Sequence, residues 1–308
     1  MASANTKHYL DPALLATIDR LEFRARHVVE GFLTGMHRSP YNGFSVEFAS
    51  HREYVPGDDI KHIDWKVWAR SDRINIKQYE EETNLRFCLV LDCSRSMAYR
   101  TQAEQPDLDK FDLAATLTAS LAYFIQKKHD APGLVLFDDA IRAQLPPSTS
   151  RTGIERMLHL LETTSPSQAT DVRQSMHALA AQIPRRSIVA LVSDLFLPSD
   201  DLLRSLRDLR QRKCEVIVLH VLHREEVEFP FVRQTLFRSM EGGTEIMADG
   251  RAIRKRYLEE LGRFLEKTRE VCARCGADYV PIHGTQQLAA GLSSYLAARA
   301  RHASGRRA

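Results

Sequence analysis

No stretch of this sequence is apolar for long enough to cross a membrane. The longest apolar runs, FCLVL at residues 87–91 and IVALV at 188–192, are strand-sized and fall well short of the roughly 18 residues a spanning helix requires. Charge of one sign is also lacking: 43 basic against 40 acidic residues leave a formal charge of +3, too balanced for a nucleic-acid-binding surface. No nucleic-acid partner is expected, and only the tail ARARHASGRRA is clearly basic. Cysteine is scarce, five in 308 residues, which excludes a disulfide framework in a chain of this size. Cys88 and Cys214 lie in apolar runs and are expected to act as small core residues. The one close pair, CARC at Cys272 and Cys275, has no further ligands nearby for zinc. It closes a helical pattern, away from the amino-terminal dipole that stabilises a thiolate, so a structural role is expected. There is no Walker A sequence, no G-x-S-x-G elbow and no pair of histidines at metal-ligand spacing. The opening MASANTKHYLDP has no basic cluster followed by an apolar stretch, so no secretory signal is read there and a cytoplasmic location is expected.

A chain of this length can build one sizeable α/β core and a smaller module. Apolar positions from Leu14 to Phe32 recur at helical intervals, predicting one amphipathic helix. A polar, aromatic-bearing stretch follows, and RINIKQYEEE then alternates like a strand. From residue 85, short apolar strands (87–91, 133–137, 141–145, 188–193, 216–221 and 278–282) alternate with helical patterns (111–127, 154–161, 172–183, 202–212, 253–272 and 286–300). That alternation predicts an α/β fold, a doubly wound, mostly parallel sheet with helices on both faces. The second and third strands are close enough across DDA to form a hairpin at an antiparallel edge. Another hairpin is expected within 232–249, with Gly242 and Gly243 at its turn. The expected organisation is an amino-terminal helix and module at 1–84, the main domain at 85–302 and a basic disordered tail at 303–308.

The first strand of the main domain ends in chemistry. LRFCLVLDCSRSMAYR runs apolar to Asp92 and then offers Ser94 and Ser96. Ligands of open α/β sheets sit beyond the carboxyl ends of the strands, where strand order reverses. In an extended chain Asp92 and Ser96 would stand about 13 Å apart, whereas two ligands of one magnesium ion stand no more than about 4.2 Å apart. The segment must curl if it holds one ion. Carboxylate and hydroxyl oxygens are hard ligands that suit Mg²⁺ or Mn²⁺ better than zinc. SIVALVSDLFLPSDD repeats the pattern, with Ser193 and Asp194 at the end of the fourth strand, and Thr170 in PSQATDVRQSM can add a third hydroxyl. The plainer reading of such residues is as turn formers and helix caps, as for Asp171.

Asp92-x-Ser94-x-Ser96, then Thr170, then Asp194, resembles the metal-ion-dependent adhesion site of von Willebrand factor A domains. The resemblance implies a Mg²⁺ or Mn²⁺ ion bound directly or through water by the two aspartates, with hydroxyls from Ser94, Ser96 and Thr170. One position would stay open for an acidic side chain of a partner.

HREYVPGDDIKHIDWKVWARSD is the densest stretch of the amino-terminal module. Pro56 and Gly57 suit a type II turn, and Asp58 or Asp59 can cap a short helix carrying Ile60, Ile63, Val67 and Trp68 on one face. Arg52 and Arg70 can pair with Asp58, Asp59 or Asp64. With Tyr54 and Trp65 these residues are expected to form a rigid interaction clasp, not a catalytic centre. From about Leu21 to Ala300 the chain is similar to a bacterial family, domain of unknown function 58, through HRSPYNGFSVEFASHREYVPGDDIKHIDWKVWARSD, APGLVLFDD, LPPSTSRTGIERMLHLLE and GADYVPIHGTQQLAAGLSSYLAAR. That resemblance implies a partner or adaptor of MoxR-type AAA+ ATPases, chaperones of complex assembly. Some members of the family carry membrane segments before the shared region, and no integral membrane segment is expected here. The expected function is a metal-dependent protein-binding module and not an enzyme. The alternatives are a metal-dependent hydrolase (a phosphatase or a nuclease using Asp58, Asp59, Asp64 and Lys66) and a structural subunit with an empty site. A haloacid-dehalogenase-type phosphatase would need an aspartate where the chain has Ser94.

Overall fold

The computed structural model describes residues 21, 24, 25, 28, 29, 51–53, 68, 75–77, 85–100, 108–166, 173–239 and 245–304. Two compact units divide the chain, Leu33–Thr83 and the remainder. In the smaller unit, His51–Glu53 (β1) pairs antiparallel with Asn75–Lys77 (β2), His51 opposite Lys77. The strand read in RINIKQ is thus present, and its partner is a segment that carried no strand signal.

The larger unit is built on six strands: Arg86–Asp92 (β3), Ala131–Phe137 (β4), Ile141–Leu145 (β5), Ile188–Ser193 (β6), Glu215–Val221 (β7) and Asp278–Ile282 (β10). They lie in the order β10-β7-β6-β3-β4-β5. Numbered within this sheet the order is 3-2-1-4-5-6, that of doubly wound α/β folds, with its reversal between β3 and β6. All neighbours are parallel except β5, which returns antiparallel on β4. The expected fold class, a von Willebrand factor A-like sheet with one antiparallel edge, is the one observed. β3, β4 and β6 are apolar without alternation because both of their faces are covered. β5 alternates between half-buried and exposed positions, as an edge strand does.

Among the described residues, these strands are connected and covered by Lys110–Lys127 (α1), Arg151–Thr163 (α2), Arg173–Gln182 (α3), Ser199–Gln211 (α4), the short Arg224–Glu228 (α5), Gly250–Arg274 (α6) and Leu288–Ser304 (α7). One sheet face packs Cys88, Val90, Val189, Leu191, Val216 and Val218 against Met176, Leu179, Leu206, Leu209 and Val271 of α3, α4 and α6. The other sets Phe87, Leu89, Ala190 and Leu219 under Leu121, Ile125 and Tyr295 of α1 and α7. Each fully buried large side chain contributes about 1.5–3 kcal/mol. The Tyr295 hydroxyl donates to Asp130 at 2.9 Å, and Asp130 also accepts the Leu85 N–H at 3.2 Å, which ties α7 to the start of β3.

Leu21, Ala25 and Val29 are helical and buried at spacings of four, and they count with the larger unit, whereas the sequence grouped them with the module at 1–84. α7 runs through Ser304 and so enters the stretch expected as tail. The second hairpin is present as Gln234–Arg238 (β8) and Glu245–Asp249 (β9), and its expected glycine turn lies outside the described residues. CARC closes α6: Gly276, at φ +62°, ends the helix in the left-handed region, with its N–H on Ala273 and that of Ala277 on Cys272. Cys272 is fully buried and burial pushes its thiol up to about 12, in keeping with a packing role. Among the described residues no helix is long and apolar enough to cross a membrane.

Candidate functional site

β3 and β6 end side by side at the reversal of strand order, and their last residues are Asp92 and Ser193. The Ser193 hydroxyl donates to Asp92 Oδ2 at 2.6 Å across the two strands. Asp92 Oδ1 accepts the backbone N–H of Ser94 at 2.8 Å. Ser94 itself is extended (φ −65°, ψ 167°), and the chain then tightens into a 3-10 turn over Arg95–Ala98. This is the curl that a single ion site demands. It brings the hydroxyl oxygens of Ser94 and Ser96 to 3.1 Å.

Asp194 is positioned from the other strand. The next residue, Leu195, is buried with φ +55°, a conformation that disfavours a non-glycine residue by roughly 1–2 kcal/mol. Two hydrogen bonds hold it there: Leu195 N–H donates to Ser193 Oγ at 3.0 Å and Phe196 N–H to Asp194 Oδ1 at 3.3 Å. The other Asp194 oxygen, Oδ2, faces the ammonium of Lys110 at 2.7 Å.

Lys110 opens α1 and its side chain is wholly buried. Its ammonium also pairs with Glu226 Oε1 at 3.0 Å and stands 4.8 Å from the centre of the Phe196 ring. Burial favours loss of the proton, but the charges of Asp194 and Glu226 more than reverse this and raise the pKa, so Lys110 is a cation. The second oxygen of Glu226 accepts the His223 N–H at 2.7 Å, while His223 Nδ1 accepts the Glu225 N–H at 3.2 Å. Glu226 therefore caps α5 with one oxygen and holds Lys110 with the other. Tyr99, beyond the 3-10 turn, donates to Glu225 at 2.8 Å and fastens α5 to the loop after β3.

Behind Asp194 lies His220 of β7, fully buried. Its Nε2 lies 2.8 Å from the carbonyl oxygen of Asp194 and its Nδ1 2.7 Å from the Tyr279 hydroxyl. A carbonyl only accepts, so Nε2 carries the proton and Nδ1 of the neutral ring accepts from Tyr279. Burial lowers its pKa to about 4. Asp92 moves the other way: burial, then the charge of Asp194, raise it to about 6 against the hydrogen bonds from Ser193 and Ser94. The charge of Asp194 beside buried Asp92 makes this a place where added positive charge is favourable.

The donor set fits a small hard cation. Two adjacent ligands of an octahedral ion at about 2.1 Å stand about 3.0 Å apart, and the Ser94 and Ser96 hydroxyls lie at 3.1 Å. Lys110 lies between Asp194 and Glu226, and Asp92 adds a further carboxyl beside Asp194. Among the described residues no group of three His, Cys, Asp or Glu side chains could hold a metal, so any ion here relies on hydroxyls. Cys93, between Asp92 and Ser94, is buried and burial pushes its thiol up to about 12, which leaves no thiolate nucleophile.

Of the residues singled out from sequence, Asp92, Ser94, Ser96 and Asp194 meet at this edge. Thr170 and Asp171 lie outside the described residues, as do Tyr54, Gly57, Asp58, Asp59, Asp64, Trp65 and Arg70; Arg52 falls in β1, opposite Ile76. Sequence reasoning missed Lys110, Glu226 and His220. Two of them carried a signal. Lys110 stands on the apolar stripe of Leu113, Ala114 and Leu117, and His220 interrupts the strand VIVLHVL.

A family profile described as "Protein of unknown function DUF58" matches residues 50–264. The uncharacterized protein Rv1480 of Mycobacterium tuberculosis is 27% identical over 298 residues, covering 95% of this chain and 92% of its own. Among solved structures, the conserved hypothetical protein BatB from Bacteroides thetaiotaomicron is similar at 18% identity and TM-score 0.47, over 70% of this chain and 99% of that one. The SpRpn10 VWA domain is similar at 11% identity and TM-score 0.36, over 68% of this chain and 94% of its own.

Proposed function

The chain belongs to the DUF58 family, and we propose that it is a divalent-ion-dependent protein-binding module. Asp92, Ser94 and Ser96 would hold Mg²⁺ or Mn²⁺ at the end of β3, with Asp194 and Thr170 completing the set that the adhesion-site resemblance implies. The ion would supply an open coordination position for a carboxylate of a partner protein. The observation that carries this reading is the 3.1 Å approach of the Ser94 and Ser96 hydroxyls beside buried Asp92. The family resemblance supports a MoxR-type AAA+ ATPase, or its client, as the partner. The reading is of binding without turnover, and it is supported by the contacts that engage both carboxylates, Asp92 with Ser193 and Ser94, and Asp194 with Lys110.

Calorimetric titration of the metal-stripped protein with Mn²⁺ tests the site. Wild type is expected to bind one ion, and Ser94→Ala and Ser96→Ala each to weaken it at least tenfold while circular dichroism stays unchanged. Equal affinity in all three proteins would remove the site.

A further inference from the structure

Lys110 has no place in the ion set above, yet it is the most deeply buried charge at the crevice. It reaches Asp194 at 2.7 Å and Glu226 at 3.0 Å from a side chain with no exposure. A long, strongly hydrated side chain is seldom buried unless it is paired, and here both partners are anions contributed by segments after other strands. Asp194 follows β6 and Glu226 lies in α5, which follows β7. The ammonium thus joins three separate loops at the carboxyl edge of the sheet. The ammonium also faces the Phe196 ring, with Nζ 4.8 Å from its centre.

We infer that Lys110 is a resident cation of the crevice: a positioning residue that occupies Asp194 and Glu226 and thereby keeps the affinity for a divalent ion low enough for the ion to exchange. This rests on the ion-binding reading of Asp92, Ser94 and Ser96. Asp194 would act on a bound ion against the opposing pull of the ammonium at its Oδ2. Glu226 sets the balance. Because its other oxygen caps α5 through the His223 N–H, a shift of Lys110 toward or away from Asp194 is felt at α5, the segment Tyr99 fastens to the loop carrying Ser94 and Ser96.

An ordinary structural ion pair and a resident cation predict different responses to metal. Removing a purely structural pair destabilises the fold equally with and without ion. Removing a resident cation leaves buried Asp194 and half-buried Glu226 without their counter-charge, which a divalent ion can supply in its place, so the loss is repaired by metal and the ion binds more tightly. Glu226→Gln works in the opposite direction, because it takes away negative charge while leaving Lys110 paired with Asp194.

The experiment compares metal-stripped wild type, Lys110→Met and Glu226→Gln by thermal melts with and without Mn²⁺, and by Mn²⁺ titration followed by electron paramagnetic resonance. Lys110→Met is expected to melt lower than wild type in EDTA, to recover at least half of that loss in saturating Mn²⁺, and to bind Mn²⁺ at least tenfold more tightly. Glu226→Gln is expected to bind it at least threefold more weakly. Should Lys110→Met not fold in EDTA, refolding it in Mn²⁺ and the Glu226→Gln titration decide the matter. Wild-type binding with both variants within twofold of it overturns the inference and leaves the ion site standing. Binding by Lys110→Met alone overturns both the native ion site and the inference that rests on it. No binding by any of the three overturns both.

Discussion

Asp92→Asn is expected to make the metal-free protein more stable, by roughly 3 kcal/mol at neutral pH, since a carboxyl raised from 3.8 to about 6 burdens the ionised fold by that amount. Aspartate is the worse residue for folding at this position. Buried at the end of β3 and opposed by Asp194, it is retained against the interest of the fold, as groups that serve binding often are. Asparagine keeps an oxygen for the Ser94 N–H and offers an amide to Ser193, so the strand end need not rearrange. Added Mg²⁺ should raise the melting temperature of wild type and leave Asp92→Asn unmoved. Denaturant unfolding of both proteins in EDTA measures the difference; a variant less stable than wild type would show that Asp92 is a structural cap after all.

The pH dependence of stability is expected to separate Asp92 from His220, because the two act in opposite senses over the same window. For Asp92 the folded value lies above the unfolded one, so between about 4 and 6 the folded state holds a proton that the unfolded chain has released, and stability falls as pH rises. For His220 the folded value, about 4, lies below 6.5; the unfolded chain then takes up the proton first, and stability is lost as pH falls from 6.5 toward 4. Each amounts to roughly 3 kcal/mol across its window. Wild type should therefore show a shallow profile between pH 4 and 6. Asp92→Asn should unmask a steep rise with pH, and His220→Gln, which can still donate to the Asp194 carbonyl and accept from Tyr279, should unmask a fall. Parallel profiles for all three proteins would mean that neither group titrates as its surroundings require.

The sheet was legible in the sequence because its central strands are buried on both faces: FCLVL and IVALV are apolar without interruption, and their length and alternation with helical patterns mark them as covered parallel strands. Asp92, Ser94 and Asp194 were legible as candidates for a related reason, since they are the polar residues that follow such apolar runs. What the sequence did not disclose is the long-range pairing. Glu226 sits 116 positions from Lys110 and reads locally as one acid in REEVE; only the topology, which places β7 beside β6, brings it to the crevice. His220 could be seen as an odd residue in a strand, but its role depends on Tyr279, 59 positions away. β1 escaped notice because three residues of mixed polarity, His51–Glu53, show no alternation until their partner is known.

The most direct test of the proposed ion-dependent docking site is retention of the proposed partner. A purified MoxR-type AAA+ ATPase from the same cell would be passed over immobilised wild type and Asp92→Asn, each in Mg²⁺ and in EDTA. Retention by wild type in Mg²⁺ alone is the result predicted here. Equal retention in all four conditions would contradict it and place the contact away from Asp92, Ser94 and Ser96.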